Sequence, residues 1–128
     1  MYQLELMAFR QGDEGLEVLI QHKKKWQSIL SALRKAAWDK ASVEAEVSSR
    51  RGAYEGVRYA GDYETPTQDM AQVFCMLVED VQDMRIAQDS EMMWVNTEVL
   101  IQKIVHRPEK FAPQLLETLT TALKSFRH

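Results

Sequence analysis

Glycine is scarce in this chain, and its distribution is uneven. All five glycines lie between positions 12 and 61, so residues 16–51 and 62–128 contain none. Proline is rarer still, and the 41 residues from Thr67 to Arg107 contain neither glycine nor proline. Glycine and proline are the strongest local interruptions of regular structure. Their absence over such lengths argues against a turn-rich chain and predicts long helices with one flexible joint near the middle.

Cysteine occurs once, as Cys75, which excludes an intramolecular disulfide and a zinc site built from several cysteines. A reducing compartment, the cytoplasm, is therefore expected. No window approaches the ~18 uncharged apolar residues of a membrane span. Residues 1–6 have neither the basic start nor the apolar core of a signal peptide. We expect no membrane partner and no export, and a length of 128 residues predicts one domain, 1–128.

Acidic charge dominates only slightly, with a formal net charge of −3, but the two signs are separated along the chain. Residues 18–38 contain five basic residues and no acidic one, whereas residues 62–98 contain nine acidic residues and one basic residue. Basic residues are again in excess after position 98. This separation indicates either a charged partner or pairing between segments of the same chain.

Apolar residues from Leu16 to Ala37 recur mostly three or four positions apart, which is typical of one helical face. The pattern predicts a first helix over about residues 14–40. The segment Thr65-Pro66-Thr67-Gln68 then matches a capping box with proline at the first helical position. A second helix is predicted to start there, with an apolar stripe from Met70 to Met84. A possible cap at Asp89-Ser90 leaves open whether residues 67–107 form one helix or two.

Two further helices are predicted, one ending just before Pro108 and one amphipathic helix over about residues 115–126. The first ten residues alternate as a strand does, but a short helix is favoured because no second strand is predicted to pair with them. The predicted fold class is therefore all-α. It is a bundle of about four to five helices with one interhelix loop, about residues 50–64, that is rich in Gly, Tyr and Arg.

That loop contains the candidate binding residues, because residues 50–63 include three glycines, three tyrosines and three arginines. Glycine permits close backbone approach, tyrosine offers a stacking face, and arginine binds phosphate or carboxylate. An ordinary interhelix loop is the alternative interpretation. The basic helix, which is the predicted first helix with its five basic residues between positions 18 and 38, would add contacts to phosphates. The candidate site residues for nucleic acid or a protein partner are Lys23, Lys24, Lys25, Arg34, Arg50, Arg51, Tyr54, Arg58 and Tyr59.

Catalytic signals are weak in this sequence. The three histidines are far apart and lack metal-binding spacing. Glu79 and Asp83 would share a helical face, but a solvated acidic face is the natural explanation for them. Cys75 is flanked by Phe74 and Met76, an environment typical of an inert buried thiol. We therefore expect no enzyme activity, no cofactor and no metal.

The predicted function is a non-enzymatic helical interaction subunit or adaptor of a larger assembly. A nucleoprotein complex is the sharper version, with the basic helix and the Arg/Tyr/Gly loop on the nucleic-acid backbone. The alternative is a protein-binding regulator, such as an inhibitor, immunity factor or chaperone. It would act through its acidic helix, which is the helix predicted to start at Thr65 within the acidic residues 62–98. Protein partners, including a second copy of the chain, are expected in either case.

Overall fold

A computed structural model describes residues 1–51, 56–78 and 91–126, with the backbone alone for residues 49–51. This part of the chain contains seven strands, three α-helices and one short 3-10 helix, Pro108–Lys110. The strands are β1 (Tyr2–Gly12), β2 (Gly15–His22), β3 (Trp26–Gln27), β4 (Leu30–Arg34), β5 (Arg58–Glu64), β6 (Met70–Leu77) and β7 (Glu91–Asn96). The helices are α1 (Lys40–Arg51), α2 (Thr97–His106) and α3 (Leu115–Lys124).

The sheet is organised around β1, which is 11 residues long. Its last residues pair antiparallel with β2, and its first residues pair antiparallel with β4. β6 runs parallel to β1 along its other edge, and β5 pairs antiparallel with β6 beyond it. β7 is added to the sheet through antiparallel pairing with β2. This arrangement places the start of β1 beside both β4 and β6.

Helices cover both faces of the sheet. Alternate residues of β1 point to opposite faces, so Leu4 and Leu6 belong to one buried cluster and Met7 and Phe9 to the other. α1 contributes to the first cluster, while α2 and α3 contribute to the second. The result is a layered α/β structure, and the predicted all-α bundle is wrong.

α1 begins at a reciprocal cap. The Ser42 N–H donates to Asp39 Oδ1 at 2.7 Å, and the Asp39 N–H donates to Ser42 Oγ at 2.9 Å. The Ser42 backbone and hydroxyl donors hold the pKa of Asp39 below its ordinary value. One turn apart, Val43 and Val47 are fully buried against the sheet. The cap sets the start of α1, and these two valines set the face that packs.

The predicted first helix over residues 14–40 is wrong, because β2, β3 and β4 lie there. Both faces of β2 are buried: Val18 and Ile20 pack in the second cluster, and Leu19 packs in the first. A strand buried on both faces contains consecutive apolar residues, which also satisfy a spacing of three or four. The apolar pattern alone therefore does not separate a helix from these strands.

The predicted helix start at Thr65 is also wrong, because this segment is the turn between β5 and β6. The Gln68 N–H donates to Thr65 O at 2.9 Å, and the Thr65 N–H donates to Asp69 O at 2.8 Å. Gln68 has a φ of 68°, which does not fit a continuing right-handed helix. β6 follows, and its alternate residues face opposite clusters, so the predicted helical stripe is again a strand buried on both faces.

The remaining predictions have mixed outcomes. The first ten residues form a strand rather than a helix, because β2, β4 and β6 provide the partners. The predicted loop over 50–64 is partly β5, and residues 52–55 lie outside the described chain. The cap at Asp89-Ser90 and residues 79–90 lie outside it as well. The helix end before Pro108 and the amphipathic terminal helix are confirmed by α2 and α3.

In the described ranges, no helix is both long enough and apolar enough to cross a membrane.

Candidate functional site

A polar cavity of about 280 Å³ opens between the start of β1, the β3–β4 segment and the start of α3. It combines segments that are far apart in sequence, since strand residues form its floor and the segment leading into α3 forms its wall. We call it the Glu5 cavity, after the one carboxylate that lines it. Its lining residues are Gln3, Glu5, Gln27, Ser28, Ser31, Ala112, Pro113, Gln114, Leu115 and Thr118.

Glu5 is the central group of this cavity, and only 7% of its surface is exposed. Ser31 Oγ donates to Glu5 Oε1 at 3.0 Å, Gln3 Nε2 donates to the same oxygen, and Ser28 Oγ donates to Oε2. In the described chain, no basic side chain forms an ion pair with this carboxylate. Burial raises the pKa of Glu5, and these hydrogen bonds oppose that rise.

A buried glutamine holds the strand segment that supplies the two serines. Gln21 on β2 is 2% exposed, and its Nε2 donates to Ser28 O at 2.9 Å and to Ile29 O at 3.0 Å. Breaking such buried bonds leaves polar groups unsatisfied at a cost of about 1–3 kcal/mol each. Gln21 therefore fixes the position of Ser28 relative to Glu5.

A second hydrogen bond fixes the α3 wall of the cavity to the sheet. The hydroxyl oxygens of Tyr63 on β5 and Thr118 on α3 are 2.6 Å apart, and Thr118 is 1% exposed. Burial is the main cause that raises the pKa of Tyr63 to about 12, and the negative charge of Glu5 adds to it. Tyr63 therefore stays protonated at neutral pH and couples β5 to the wall that faces Glu5.

The chemistry of the lining is suited to a planar polar group. Side-chain amides, such as those of Gln3 and Gln114, both donate and accept, while the Glu5 carboxylate accepts when ionised. A small number of precisely placed polar groups in a concave site is the usual basis of small-molecule specificity. The Glu5 cavity therefore presents both hydrogen-bond donors and hydrogen-bond acceptors to a ligand.

A divalent cation is a common component of phosphoryl chemistry, where it neutralises developing charge. Proteins bind such cations with several oxygen ligands, mainly carboxylates. In residues 1–51, 56–78 and 91–126, no group of three or more His, Cys, Asp or Glu side chains has the arrangement to hold a metal ion. The residues in these ranges therefore do not fit a metal site.

The predicted binding residues of the basic segment lie in two separate places. Lys23, Lys24 and Lys25 form the turn between β2 and β3, and all three are exposed. Arg34 lies at the end of β4, with its guanidinium carbon 4.1 Å from the centroid of the Trp38 ring. Its Nε also donates to Ala36 O at 2.9 Å. Arg34 thus contacts its own chain, away from the lysine turn.

The predicted residues of the central loop are divided between two faces of β5. Arg58 lies with its guanidinium carbon 4.4 Å from the centroid of the Phe126 ring, in the layer of α3. Tyr59 packs its ring 5.4 Å from that of Phe74 on the opposite face, and its hydroxyl donates to Asp62 Oδ2 at 2.8 Å. The side chains of Arg50, Arg51 and Tyr54 lie outside the described residues. Binding of nucleic acid or a protein partner by these nine residues stays a prediction.

Sequence reasoning missed every residue of the Glu5 cavity. One signal was present: Glu5 is the single charged residue in the run from Leu4 to Phe9. An acid inside an otherwise apolar strand is unusual unless it is partnered or functional. The serines and Gln114 carry no comparable signal, because isolated polar residues are common in turns and at helix ends.

The layered sheet with α1 on one face and α2 and α3 on the other resembles the fold of solved Nudix structures. It is similar to the NUDIX domain of Shewanella oneidensis NrtR complexed with ADP ribose, with a TM-score of 0.66 and 13% identity over 98% of this chain and 88% of that one. For C. elegans Ap4A hydrolase the TM-score is 0.63 and the identity 12%, over 99% of this chain and 98% of that one. A protein from Listeria monocytogenes named as a NUDIX hydrolase gives 0.67 and 11%, over 99% and 94%. No protein-family model matches the sequence, and no curated protein matches it.

These likenesses overturn the predicted function. A non-enzymatic helical adaptor or complex subunit is wrong, because the chain is not a helical bundle and shares its fold with proteins named as hydrolases. The predicted absence of enzyme activity, which was drawn from the weak catalytic signals of the sequence, is contradicted by the same likeness. The acidic helix of the alternative regulator is also absent from residues 62–78, which form β5, a turn and β6.

Proposed function

We propose that this chain is a hydrolase of the Nudix type that acts on a nucleotide with phosphates linked to a second group, and that the base binds in the Glu5 cavity. The observation that carries the proposal is the fold likeness, which extends over almost the whole chain rather than over one motif. Two of these neighbours are named with ADP ribose or with Ap4A. Both compounds contain adenosine joined to a phosphate chain.

The Glu5 cavity supports the choice of a nucleobase. A base presents N–H donors and ring acceptors on one planar edge, and proteins read that edge with amide and carboxylate side chains. Gln3, Glu5 and Gln114 provide those groups together. The cavity is near the lower end of the ~300–1,000 Å³ typical of small-molecule pockets. We infer that it holds one ring system rather than a whole dinucleotide.

The test is an assay of the purified chain with Ap4A and with ADP ribose, each with magnesium, with manganese and with a chelator. Nucleotide products are separated by ion-exchange chromatography. We expect conversion of at least one compound, and Glu5→Gln is expected to raise KM by about tenfold with little change in kcat, as lost binding does. Glu64→Gln, at an exposed position on β5, is the matched control.

Binding is measured separately by calorimetry with the same compounds. Tight binding to the Glu5 cavity without any product would keep the ligand assignment and reject the hydrolase. Neither binding nor product with either compound would reject both. Turnover that is unaffected by Glu5→Gln would keep the hydrolase and reject the cavity as the base site.

We also propose a cellular compartment and a protein partner for this chain. A reducing cytoplasm is consistent with Cys75 as a buried free thiol. A protein partner is proposed at the exposed lysine turn, Lys23 to Lys25, whose three cations are all accessible. Isolation of the tagged chain from its host at low and at high salt tests the partner, because contacts to exposed lysines weaken as salt rises.

A further inference from the structure

A second concave surface lies on the other side of β3 from the Glu5 cavity. It has a volume of about 560 Å³ and runs between α2, the short 3-10 helix and Trp26. We call it the α2 groove. Its lining residues are Trp26, Val99, Gln102, Lys103, His106, Arg107, Lys110 and Phe111.

The charge of the α2 groove is of one sign. Lys103, Arg107 and Lys110 line it, and all three are exposed. In the described chain, the acid in ion-pair contact with them is Glu109, which lies 3.8 Å from Arg107. Among the residues that the structure describes, no acidic one lines the groove. Two lysines and a partly paired arginine therefore leave an excess of positive charge at its edge.

The base of the α2 groove is apolar. Phe111 is 6% exposed and packs in the cluster beneath α2, while Trp26 is half-buried beside it. Val99 leaves 43% of its surface exposed on the opposite side. An aromatic surface with several cations beside it suits a molecule with an apolar body and an anionic end.

We propose that the α2 groove is a binding site for a small amphiphilic anion. The aromatic or aliphatic body of the ligand packs on Trp26 and Phe111, and its phosphate, sulfonate or carboxylate contacts Lys103 and Lys110. The volume lies inside the ~300–1,000 Å³ range of small-molecule sites, which favours a small ligand over a macromolecule. This site is distinct from the Glu5 cavity and does not depend on the proposed hydrolase activity.

The two concave surfaces share a wall. Trp26 and Phe111 form a parallel bridge, and the Ala112 N–H donates to Trp26 O at 2.8 Å. Trp26 and Phe111 line the α2 groove, whereas the next residues, Gln27 and Ala112, line the Glu5 cavity. A ligand in the groove therefore contacts the same two segments that shape the cavity.

The test uses 8-anilinonaphthalene-1-sulfonate, an aromatic anion that fluoresces in apolar sites, with the purified full chain. Methanesulfonate supplies the charge without the aromatic body, and N-phenyl-1-naphthylamine supplies the body without the charge. We expect saturable binding at one site for the aromatic anion and binding at least about tenfold weaker for the other two, since each lacks one contact. Amide chemical shifts are expected to change at Val99, Lys103 and Lys110, and to extend to Gln27 and Ala112.

Charge reversal provides the decisive comparison. The double variant Lys103→Glu, Lys110→Glu is expected to bind the aromatic anion at least about tenfold more weakly. Lys103→Met with Lys110→Met removes the charge while keeping the chain length, in case the reversed variant folds poorly. Lys35→Glu with Lys124→Glu, two exposed lysines outside the groove, is the matched control and is expected to bind as the unaltered chain does.

Equal affinity in the unaltered, Met-substituted and control proteins would overturn the proposal. Shift changes confined to β5 and β6 would do the same, because they would place the probe elsewhere. Equal binding of the uncharged naphthylamine would show an apolar surface without anion recognition and would also overturn it.

Discussion

Ser31 lies directly opposite Glu5 across the antiparallel β1–β4 pair and donates its hydroxyl to Glu5 Oε1 at 3.0 Å. The other two donors to this carboxylate, Gln3 and Ser28, are uncharged as well. Uncharged donors stabilise an ionised carboxylate less than a cation does. Burial therefore outweighs them, and the pKa of Glu5 is raised above its ordinary value.

This raised pKa predicts how stability depends on pH. The folded chain binds the Glu5 proton more tightly than the unfolded chain, so the stabilisation is fully present below the ordinary value of 4.5 and is lost as pH rises through the raised pKa. Glu5→Gln removes this titration. We expect its free energy of unfolding, relative to the unaltered chain, to increase as pH rises from 4.5 through the raised pKa of Glu5.

Urea unfolding at several pH values, followed by circular dichroism, measures this difference. The matched control is Glu64→Gln, at an exposed position on β5 that does not line the Glu5 cavity. A relative stability of Glu5→Gln that decreases as pH rises would contradict the prediction.

The hydrogen bond between Tyr63 and Thr118 predicts a second effect. Tyr63→Phe leaves the Thr118 hydroxyl, 1% exposed, without this partner and is expected to cost about 1–2 kcal/mol of unfolding free energy. Tyr59→Phe is the matched control, because Tyr59 is 53% exposed and Asp62, which accepts from its hydroxyl, is exposed and can accept from water instead. Adding Thr118→Val to Tyr63→Phe is expected to recover part of the loss. Equal costs for the two tyrosines would show that the buried bond contributes nothing specific.

Gly61 predicts a third effect, at the β-bulge where β5 changes register against β6. Its φ is 149°, and a Cβ added there would lie 2.9 Å from Thr121 Cγ2 on α3. Gly61→Ala is expected to cost about 2 kcal/mol, roughly 1 from the backbone and the rest from the contact. Gly56→Ala is the control, since its φ is also positive, at 87°, but nothing lies within 4 Å.

Thermal unfolding compares the two variants with the double variant Gly61→Ala, Thr121→Ser. Serine keeps the hydroxyl that donates to Glu117 O at 2.8 Å and removes the methyl group in the way. We expect the double variant to recover the contact part of the loss only. No recovery would mean that the backbone conformation alone accounts for the cost.

Local sequence patterns were enough to predict the helices whose formation is set by residues within or next to them. α3 follows from an amphipathic run with few helix breakers, and α2 ends before Pro108 because proline cannot continue a helix. Even here the start of α2 was missed. Asn96 caps it by accepting from the N–H groups of Glu98 and Val99 at 2.9 and 3.2 Å, and the strand β7 precedes it.

The sequence by itself determined composition, charge separation, the single cysteine and the last two helices. Only the tertiary structure decided that residues 15–34 form β2, β3 and β4 and that residues 70–77 form β6, because helices cover both faces of the sheet and both faces must then be apolar. The Glu5 cavity was decided in the same way. Its lining comes from β1, the β3–β4 segment and the start of α3, which are distant in sequence and meet only when the sheet and α3 pack together.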